Sequence, residues 1–370
     1  MFPKLRFKEF DGDWLKLKYK DVLTIKYGKD HKSLNDGDIP VYGTGGLMRH
    51  VNKYLYDGES ILIGRKGTID KPKYINEKFW TVDTLFYTEI EESIVPLFLY
   101  QHALEVNWLG LNEATGVPSL NTTSIYNIDI SIPSKEEQTK IASFLSNVDE
   151  KISQLTQKLE LLSQYKQGMM QKLFSQQVRF KADDKSEFGE WEEKKLGEIS
   201  TTFSGGTPKS TNKKFYQGTI PFIKSGEISQ KHTEQFINEL ALKESSAKLV
   251  KKGDLLYALY GATSGQVAIS QIDGAINQAV LCIRSNLNTI YLLNFFLWKK
   301  DSILSTYLQG GQGNLSAAIL KEIFVPVPCL EEQTKIANFL SAIDQKIEVV
   351  AQQIEQAKQW KKGLLQQMFV

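Results

Sequence analysis

Two stretches of the chain repeat apolar residues at alternating intervals of four and three. The first lies within residues 133–174 and the second within residues 328–369. This spacing places the apolar side chains on one stripe of a helix, and a stripe of seven-residue period drives helices into a left-handed coiled coil. The predicted pairing positions are Ile141, Leu145, Val148, Ile152, Leu155, Leu159 and Leu162, and in the second stretch Ile336, Leu340, Ile343, Ile347, Val350 and Ile354.

The two stretches are copies of each other. They begin with PSKEEQTKIASFLSNVDEKI at Pro133 and PCLEEQTKIANFLSAIDQKI at Pro328, and 21 of 42 positions are identical at a constant offset of 195 residues. Each copy carries one lysine on the stripe, Lys166 and Lys361, and a polar residue there commonly sets the register of a coiled coil. Each helix of roughly 40 residues would measure about 60 Å. We expect the helices to pair antiparallel, because each leads away from a separate globular part.

The duplication extends beyond the helices. Alternating apolar residues at 128–132 and at 323–327, just before each helix, are typical of a half-buried strand. An Arg-Phe-Lys segment followed by Glu-Phe, Gly and Trp occurs at residues 6–14 and again at residues 179–191. The first helix continues into the second of these segments, whereas the second helix ends with the chain. This arrangement predicts a circular organisation with pseudo-two-fold symmetry.

Between the shared segments, residues 15–132 and 192–327 align poorly with each other and show mixed strand, loop and helix patterns. Two dissimilar segments, each flanked by the same repeated segments, indicate that the two parts of the chain have the same role on two different targets. The predicted fold class is α+β and multidomain, with two mixed α/β domains separated by an antiparallel coiled coil. The predicted boundaries are 1–132 for the first domain, 133–178 for the first helix, 179–327 for the second domain and 328–370 for the second helix.

Composition restricts the class of protein. Hydrophobic residues make up 41% and charged residues 24% of the chain, which is typical of a globular protein. The net charge is only +2, so a basic surface for nucleic acid must be local. The two cysteines, Cys282 and Cys329, form no CxxC pair, which argues against disulfides and zinc and fits a reducing cytoplasm. We expect no membrane span, because no uncharged apolar run of about 18 residues occurs.

Signatures of enzymes are missing. The histidines show no metal-ligand spacing, and we expect each of the four to be a surface or turn residue: His31, His50, His102 and His232. The glycine-rich segments 64–68 and 261–266 lack the GxxxxGK[ST] pattern of a phosphate-binding loop. Each segment fits a tight turn between strands, a loop that faces DNA, or both. No GxSxG and no Asn/Asp-Pro-Pro-aromatic motif is found, so we expect neither a metal site nor catalysis by this chain.

Polar and basic residues near these turns are candidates for contact with DNA. Arginine and lysine pair with guanine edges and asparagine and glutamine with adenine edges, while many exposed lysines contact only phosphates. The candidates are Arg49, Arg65, Lys66 and Lys71 in the first domain, and Lys209, Ser210, Lys213, Lys214, Lys224, Ser225, Thr263, Gln266, Asn277 and Gln278 in the second.

The repeated start Pro-x-x-Glu-Glu-Gln-x-x-Ile-Ala, followed by a heptad helix and preceded by a divergent domain, resembles the specificity subunit of type I restriction-modification systems. The resemblance covers essentially the whole chain, and its most specific residues are Glu136, Glu137, Gln138 and Ile141, with Glu331, Glu332, Gln333 and Ile336. In the second domain, residues 253–256 (GDLL) and 275–278 (AINQ) are also similar to the family. The first domain departs from it, with Val82-Asp83-Thr84 where Asn-Gln is expected.

The resemblance implies a non-catalytic protein with two target-recognition domains, which read the halves of an asymmetric bipartite site in double-stranded DNA. It implies that the paired helices fix the spacing between the halves. The implied partners are two modification subunits, which methylate adenine N6 with S-adenosylmethionine, and restriction subunits, which use ATP and Mg. This chain itself is expected to hold no cofactor. The alternatives are a coiled-coil scaffold that binds only proteins and a self-contained methyltransferase or nuclease.

Overall fold

Two helices of 40 and 39 residues carry the duplicated heptad stretches. They belong to a computed structural model that describes residues 3–308 and 314–369. The α-helices are α1 (Pro96–Ala103), α2 (Thr122–Tyr126), α3 (Lys135–Phe174), α4 (Leu196–Ile199), α5 (Glu239–Lys243), α6 (Thr289–Leu308), α7 (Ala317–Lys321) and α8 (Leu330–Met368). The 3-10 helices are Tyr19–Asp21, Trp108–Leu111, Lys213–Tyr216 and Ser225–Glu227.

The strands fall into two series. Before α3 they are β1 (Leu15–Lys18), β2 (Leu23–Tyr27), β3 (Ile39–Gly43), β4 (Gly46–Val51), β5 (Tyr56–Gly64), β6 (Lys73–Thr81), β7 (Leu85–Ile90) and β8 (Asp129–Ile132). After α3 they are β9 (Glu192–Lys195), β10 (Ser200–Ser204), β11 (Ile220–Ile223), β12 (Phe236–Ile237), β13 (Lys248–Val250), β14 (Leu255–Ala258), β15 (Val267–Ile269), β16 (Gly274–Ile276), β17 (Val280–Ser285) and β18 (Phe324–Val327).

Each long helix is shared between two structural units. Unit 1 contains Met1–Gln157 and Val350–Val370, and unit 2 contains Lys158–Val349. Unit 1 therefore combines the first part of α3 with the last part of α8, and unit 2 combines the last part of α3 with the first part of α8. The helices pair antiparallel, and both ends of the chain belong to unit 1, so the predicted fold class and circular organisation are confirmed.

The predicted pairing positions are all buried or half-buried. In unit 1, Ile141, Leu145 and Val148 share a core with residues 364–368 of α8. In unit 2, Leu173 of α3 shares a core with residues 336–343 of α8. Removal of these side chains from water supplies the main attraction between the helices.

One lysine–aspartate pair joins the long helices in each unit. In unit 1, Lys361 Nζ lies 2.6 Å from Asp149 Oδ1, and in unit 2 Lys166 Nζ lies 2.6 Å from Asp344 Oδ1. The two pairs are copies of each other at the offset of 195 residues. Each lysine side chain is only 13% exposed, so a slip of the helices would leave a largely buried ammonium without its partner. The stripe lysines therefore favour a single register.

A buried ion pair closes the start of each long helix. Glu137 accepts hydrogen bonds from Arg6 Nε and Nη2, both at 2.7 Å, and its side chain is 2% exposed. Glu332 accepts from Arg179 Nε at 3.0 Å and Nη2 at 2.8 Å, and its side chain is fully buried. A carboxylate so withdrawn from water requires a charged partner. This requirement explains why the Arg-Phe-Lys segment and the Glu-Glu-Gln segment are repeated together.

The neighbouring glutamines attach each helix to the preceding domain. Gln138 Oε1 accepts from Val95 N at 2.8 Å, and Gln333 Oε1 accepts from Asn288 N at 2.8 Å. Because Val95 and Asn288 directly precede α1 and α6, these bonds place the two helices at equivalent positions in the two units.

The poorly aligned inserts share one arrangement of strands. Unit 1 has a six-stranded sheet in the order β2-β7-β5-β6-β3-β4. Unit 2 has two four-stranded sheets, β10-β17-β14-β15 and β12-β11-β16-β13. The trio β10-β17-β14 matches β2-β7-β5, and the trio β16-β11-β12 matches β6-β3-β4, including the parallel pairs β3–β6 and β11–β16. In both units a separate strand pair, β1–β8 or β9–β18, precedes the long helix.

One histidine differs from expectation. His102 lies in α1 with only 8% of its surface exposed, and its Nδ1 is 2.9 Å from Tyr19 Oη. The expectation of a surface or turn position was wrong because His102 faces the core of unit 1. Burial lowers the pKa of His102 to about 4. At the equivalent positions in unit 2, Leu196 and Phe295 are both apolar.

The lysine–aspartate pairs that join the long helices generate a first prediction. The Lys166→Asp variant places two carboxylates side by side, and we expect it to lower the melting midpoint by roughly 5 °C, the shift for about 2 kcal/mol. Adding Asp344→Lys should restore most of the loss, because the double variant only exchanges the charges. Lys158→Asp, at an exposed position of α3, is the matched control. Equal losses in the single and double variants would contradict the role of the pair.

The buried histidine generates a second prediction. Because the pKa of His102 is lowered from 6.5 to about 4, the unfolded chain binds more protons between these values and stability falls as the pH drops. We expect His102 to lower the free energy of unfolding by about 2 kcal/mol between pH 7 and pH 5. The Tyr19→Leu/His102→Phe variant, which copies unit 2, should lose correspondingly less stability in unfolding measured at both pH values. An unchanged pH dependence would exclude this origin.

Candidate nucleic-acid interface

Three segments leave the sheet of unit 1 at neighbouring points. They are the turn after β3 (residues 43–46), the turn after β5 (residues 64–68) and the link between β6 and β7 (residues 82–84). Val82 N donates to Tyr42 O at 3.1 Å, and Arg65 N donates to Thr84 O at 2.8 Å. These bonds extend the β3–β6 and β5–β7 pairings past the strand ends and hold the three segments together.

Unit 2 repeats these backbone bonds. Asn277 N donates to Ile223 O at 3.4 Å, and Leu259 N donates to Ala279 O at 2.8 Å. The following turns also agree, since Leu85 N donates to Val82 O at 2.9 Å and Val280 N donates to Asn277 O at 3.2 Å. The bonds align residues 82–84 with residues 277–279, so Asp83 and Gln278 occupy equivalent positions.

A glycine brings a fourth segment against this link in each unit. A Cβ on Gly28 would lie 2.0 Å from Val82 O, and a Cβ on Gly205 would lie 1.8 Å from Ile276 O. No side chain fits at either distance, so glycine is required for the chain to pass there. The loops that follow, residues 29–32 and 206–209, are therefore directed past the strand ends.

In unit 1 the loop after β2, the turn after β3 and the link between β6 and β7 line an open cleft of about 580 Å³. Its lining comprises residues 30–32, 43–45 and 82–84, together with Met48. Gly67 of the 64–68 turn, with φ +91°, lies beside Thr44 of this lining, because a Cβ there would lie 3.5 Å from Thr44 Oγ1. The lining thus combines backbone, hydroxyl, imidazole, ammonium and carboxylate groups.

The structure brings two of the four predicted residues of the first domain to this place. Arg65 Nη1 donates to Asp83 O at 3.1 Å, and its guanidinium lies 5.4 Å from the centre of the Tyr27 ring. Lys66 is exposed beside it. Arg49 lies instead on β4, where its Nη2 is 2.5 Å from Asp36 Oδ1, and Lys71 is exposed between β5 and β6.

In unit 2 the strand ends hold six of the predicted residues. Lys224 and Ser225 follow β11, Asn277 and Gln278 follow β16, and Thr263 and Gln266 lie on the turn between β14 and β15. Lys209 and Ser210 lie in the loop after β10. By contrast, Lys213 and Lys214 lie on a 3-10 helix whose Phe215 joins a different core, with Ile237 and Ala241.

Hydrogen bonds orient the amides after β16. Asn277 Oδ1 accepts from Ala279 N at 3.0 Å. Gln278 Oε1 accepts from Thr207 Oγ1. Burial raises the pKa of Tyr260, and a hydrogen bond from Gln278 opposes that shift. Thr207 therefore orients the amide of Gln278, which remains exposed.

Several residues at these strand ends were not among the predicted DNA contacts, which were basic or neutral polar residues near turns. In unit 1 they are His31, Lys32, Thr44, Asp83 and Thr84, and in unit 2 they are Thr207 and Tyr260. Residues 82–84 and 277–279 stand 195 residues apart, as the two long helices do. The sequence alone already places Val82-Asp83-Thr84 at the position of Asn-Gln, although Asp83 was not among the predicted contacts.

The chemistry of these surfaces is that of hydrogen bonding. No group of three or more His, Cys, Asp or Glu residues able to hold a metal ion occurs in residues 3–308 and 314–369. Within the same described ranges, no helix is both long and apolar enough to cross a membrane. The exposed turns of both units present a mixture of hydrogen-bond donors and acceptors.

Comparison with known proteins places the chain in a family. Residues 11–164 and 189–359 each match the family model described as type I restriction modification DNA specificity domain. The chain is 30% identical to a putative type I restriction enzyme MjaX specificity subunit of Methanocaldococcus jannaschii, over 98% of this chain and 94% of that protein. It is 29% identical to the MjaVIII specificity subunit of the same organism, over 84% and 76%.

Solved structures show the same fold. The S subunit of a type I restriction-modification system from M. genitalium has a TM-score of 0.66 at 17% identity, with 100% of this chain and 99% of that chain covered. A chain from a structure that describes complex assembly of the type I R-M system has a TM-score of 0.60 at 15% identity, with 96% and 97% covered. With two family-model matches and relatives aligned over nearly its whole length, the chain belongs to the type I restriction-modification DNA specificity family.

Proposed function

We propose that the chain recognises an asymmetric bipartite site in double-stranded DNA, with one half read by residues 1–132 and the other by residues 179–327. The repeated backbone bonds at the strand ends carry this proposal. They present different side chains at equivalent positions, such as Asp83 and Gln278. A backbone arrangement that is the same in both units but carries different hydrogen-bonding side chains suits the recognition of two different half-sites.

The paired helices, residues 133–178 and 328–370, set the spacing between the half-sites and hold the partner subunits. Two modification subunits, which transfer a methyl group from S-adenosylmethionine to adenine N6, bind the pseudo-two-fold frame. Restriction subunits add chemistry that depends on ATP and Mg. The chain itself is a non-catalytic cytoplasmic protein without a cofactor. The names of its relatives, which are specificity subunits of restriction enzymes, support this division of labour.

Contacts with DNA come from the strand ends and the loops beside them. Arg65 and Lys66 in unit 1, and Lys224, Thr263 and Gln266 in unit 2, lie where base edges would be read. Arg49, Lys71, Lys209, Ser210, Lys213, Lys214 and Ser225 contribute mainly to phosphate binding, with Asn277 positioning its neighbour. Since the chain carries little net charge, these local cations dominate, and affinity falls as salt rises. The protein-only scaffold is not favoured, because both matched regions belong to a DNA specificity family.

The function is tested by mapping N6-methyladenine across the genome of cells that contain the modification subunit, with and without this chain. We expect a bipartite methylated motif that depends on the chain. A chain that co-purifies with the modification subunit yet produces no motif would contradict the proposed DNA recognition.

Exchange of one recognition domain gives a sharper prediction. Replacing residues 15–132 with the equivalent segment of another specificity subunit should alter one half of the methylated motif, because each unit has its own sheet and strand ends. The reciprocal exchange of residues 192–327 is the matched control and should alter only the other half. A change in both halves after a single exchange would overturn the modular assignment.

A further inference from the structure

Asp83 is an unusual residue for a surface that meets DNA. Its carboxylate is exposed, lines the unit 1 cleft, and takes part in none of the hydrogen bonds or ion pairs found among residues 3–308 and 314–369. Its backbone oxygen, in contrast, accepts a hydrogen bond from Arg65 Nη1 at 3.1 Å. Among the described residues, the Asp83 carboxylate therefore has no hydrogen-bond or ion-pair partner, although the backbone of its segment is held in place.

A free carboxylate is repelled by phosphates, so next to DNA it must face a hydrogen-bond donor. In the major groove the donors are the N4 amino group of cytosine and the N6 amino group of adenine. The adenine amino group lies beside the N7 acceptor, which repels a carboxylate that can only accept. The cytosine amino group has an acceptor, guanine O6, on one side only, whereas the adenine amino group also has thymine O4 on its other side. The chemistry of Asp83 therefore favours cytosine.

The equivalent residue of unit 2 has different chemistry. Gln278 accepts from Thr207 through Oε1, yet an amide oxygen keeps a second lone pair and the amide nitrogen carries two hydrogens. The exposed amide of Gln278 therefore still offers both an acceptor and a donor. This is the combination that pairs with N6 and N7 of adenine.

We propose that Asp83 and Gln278 are the paired specificity-determining residues of the two units, Asp83 reading a cytosine–guanine pair in one half-site and Gln278 an adenine–thymine pair in the other. This inference rests on the proposed function. It goes beyond that function because it assigns one residue to one base pair in each half, from the equivalence of residues 82–84 and 277–279.

Methylation mapping with the full chain and its modification subunit tests the inference. In Asp83→Asn the carboxylate becomes an amide, and we expect the preference for the cytosine–guanine pair to fall by about tenfold at a single position of the unit 1 half-site. The unit 2 half-site should not change. Asp57→Asn is the matched control, since Asp57 lies near the start of β5, where its carboxylate is 3.8 Å from Lys78 Nζ.

The reciprocal variants complete the test. Gln278→Glu should move the preference at one position of the unit 2 half-site from adenine–thymine toward cytosine–guanine. Asp83→Gln should produce the opposite change in the unit 1 half-site, and it also decides the outcome if Asp83→Asn abolishes methylation altogether. Melting curves of each variant distinguish a loss of base recognition from a loss of folding.

Three results would overturn the assignment: a wild-type unit 1 half-site without a cytosine–guanine pair, an unchanged motif in both Asp83 variants, or a change in both half-sites from one substitution. The failure of the proposed function is distinguishable, because it would appear as the absence of any motif that depends on the unaltered chain.

Discussion

Residues far apart in the chain build each unit, and the ion pairs between the long helices decide how they meet. Lys166 and Asp344 are 178 positions apart, and Lys361 and Asp149 are 212 positions apart. Apolar stripes alone permit slips by a whole heptad, whereas a largely buried lysine accepts only the register that provides a carboxylate. Since the largest core of each unit contains residues of both long helices, this register determines which residues of the two helices meet in each core.

The duplication separates the parts of the molecule that must stay the same from those that differ. Three features recur in both copies: the buried Arg–Glu pairs, the glutamines that hold α1 and α6, and the lysine–aspartate pairs between the long helices. At the strand ends only the backbone bonds recur, and the side chains they carry differ. A frame whose geometry depends on the backbone tolerates changes at exposed positions such as Asp83 and Gln278, so specificity varies without rebuilding the fold.

Much of this architecture is predictable from the sequence, because a repeat and a seven-residue period are strong signals. The long helices, their antiparallel pairing and the circular organisation follow from these signals. The common strand frame does not, because the inserts differ in length and in side chains and share mainly backbone bonds. Asp149 and Asp344 lie off the apolar stripe, and the choice of basic and neutral polar residues left out Asp83. His102 was misplaced because only tertiary packing buries it against Tyr19.

Inserting one heptad into each long helix, after Gln157 and after Gln352, tests most directly whether the paired helices space two readers. These positions are equivalent in the duplication, so both apolar stripes and both lysine–aspartate pairs keep their register. Seven residues lengthen a helix by about 10 Å, which corresponds to about three base pairs of DNA. Methylation mapping should show two unchanged half-sites with a spacer longer by about three base pairs, or lost methylation if the partners cannot span it. An unaltered spacer with full methylation would contradict the role of the helices.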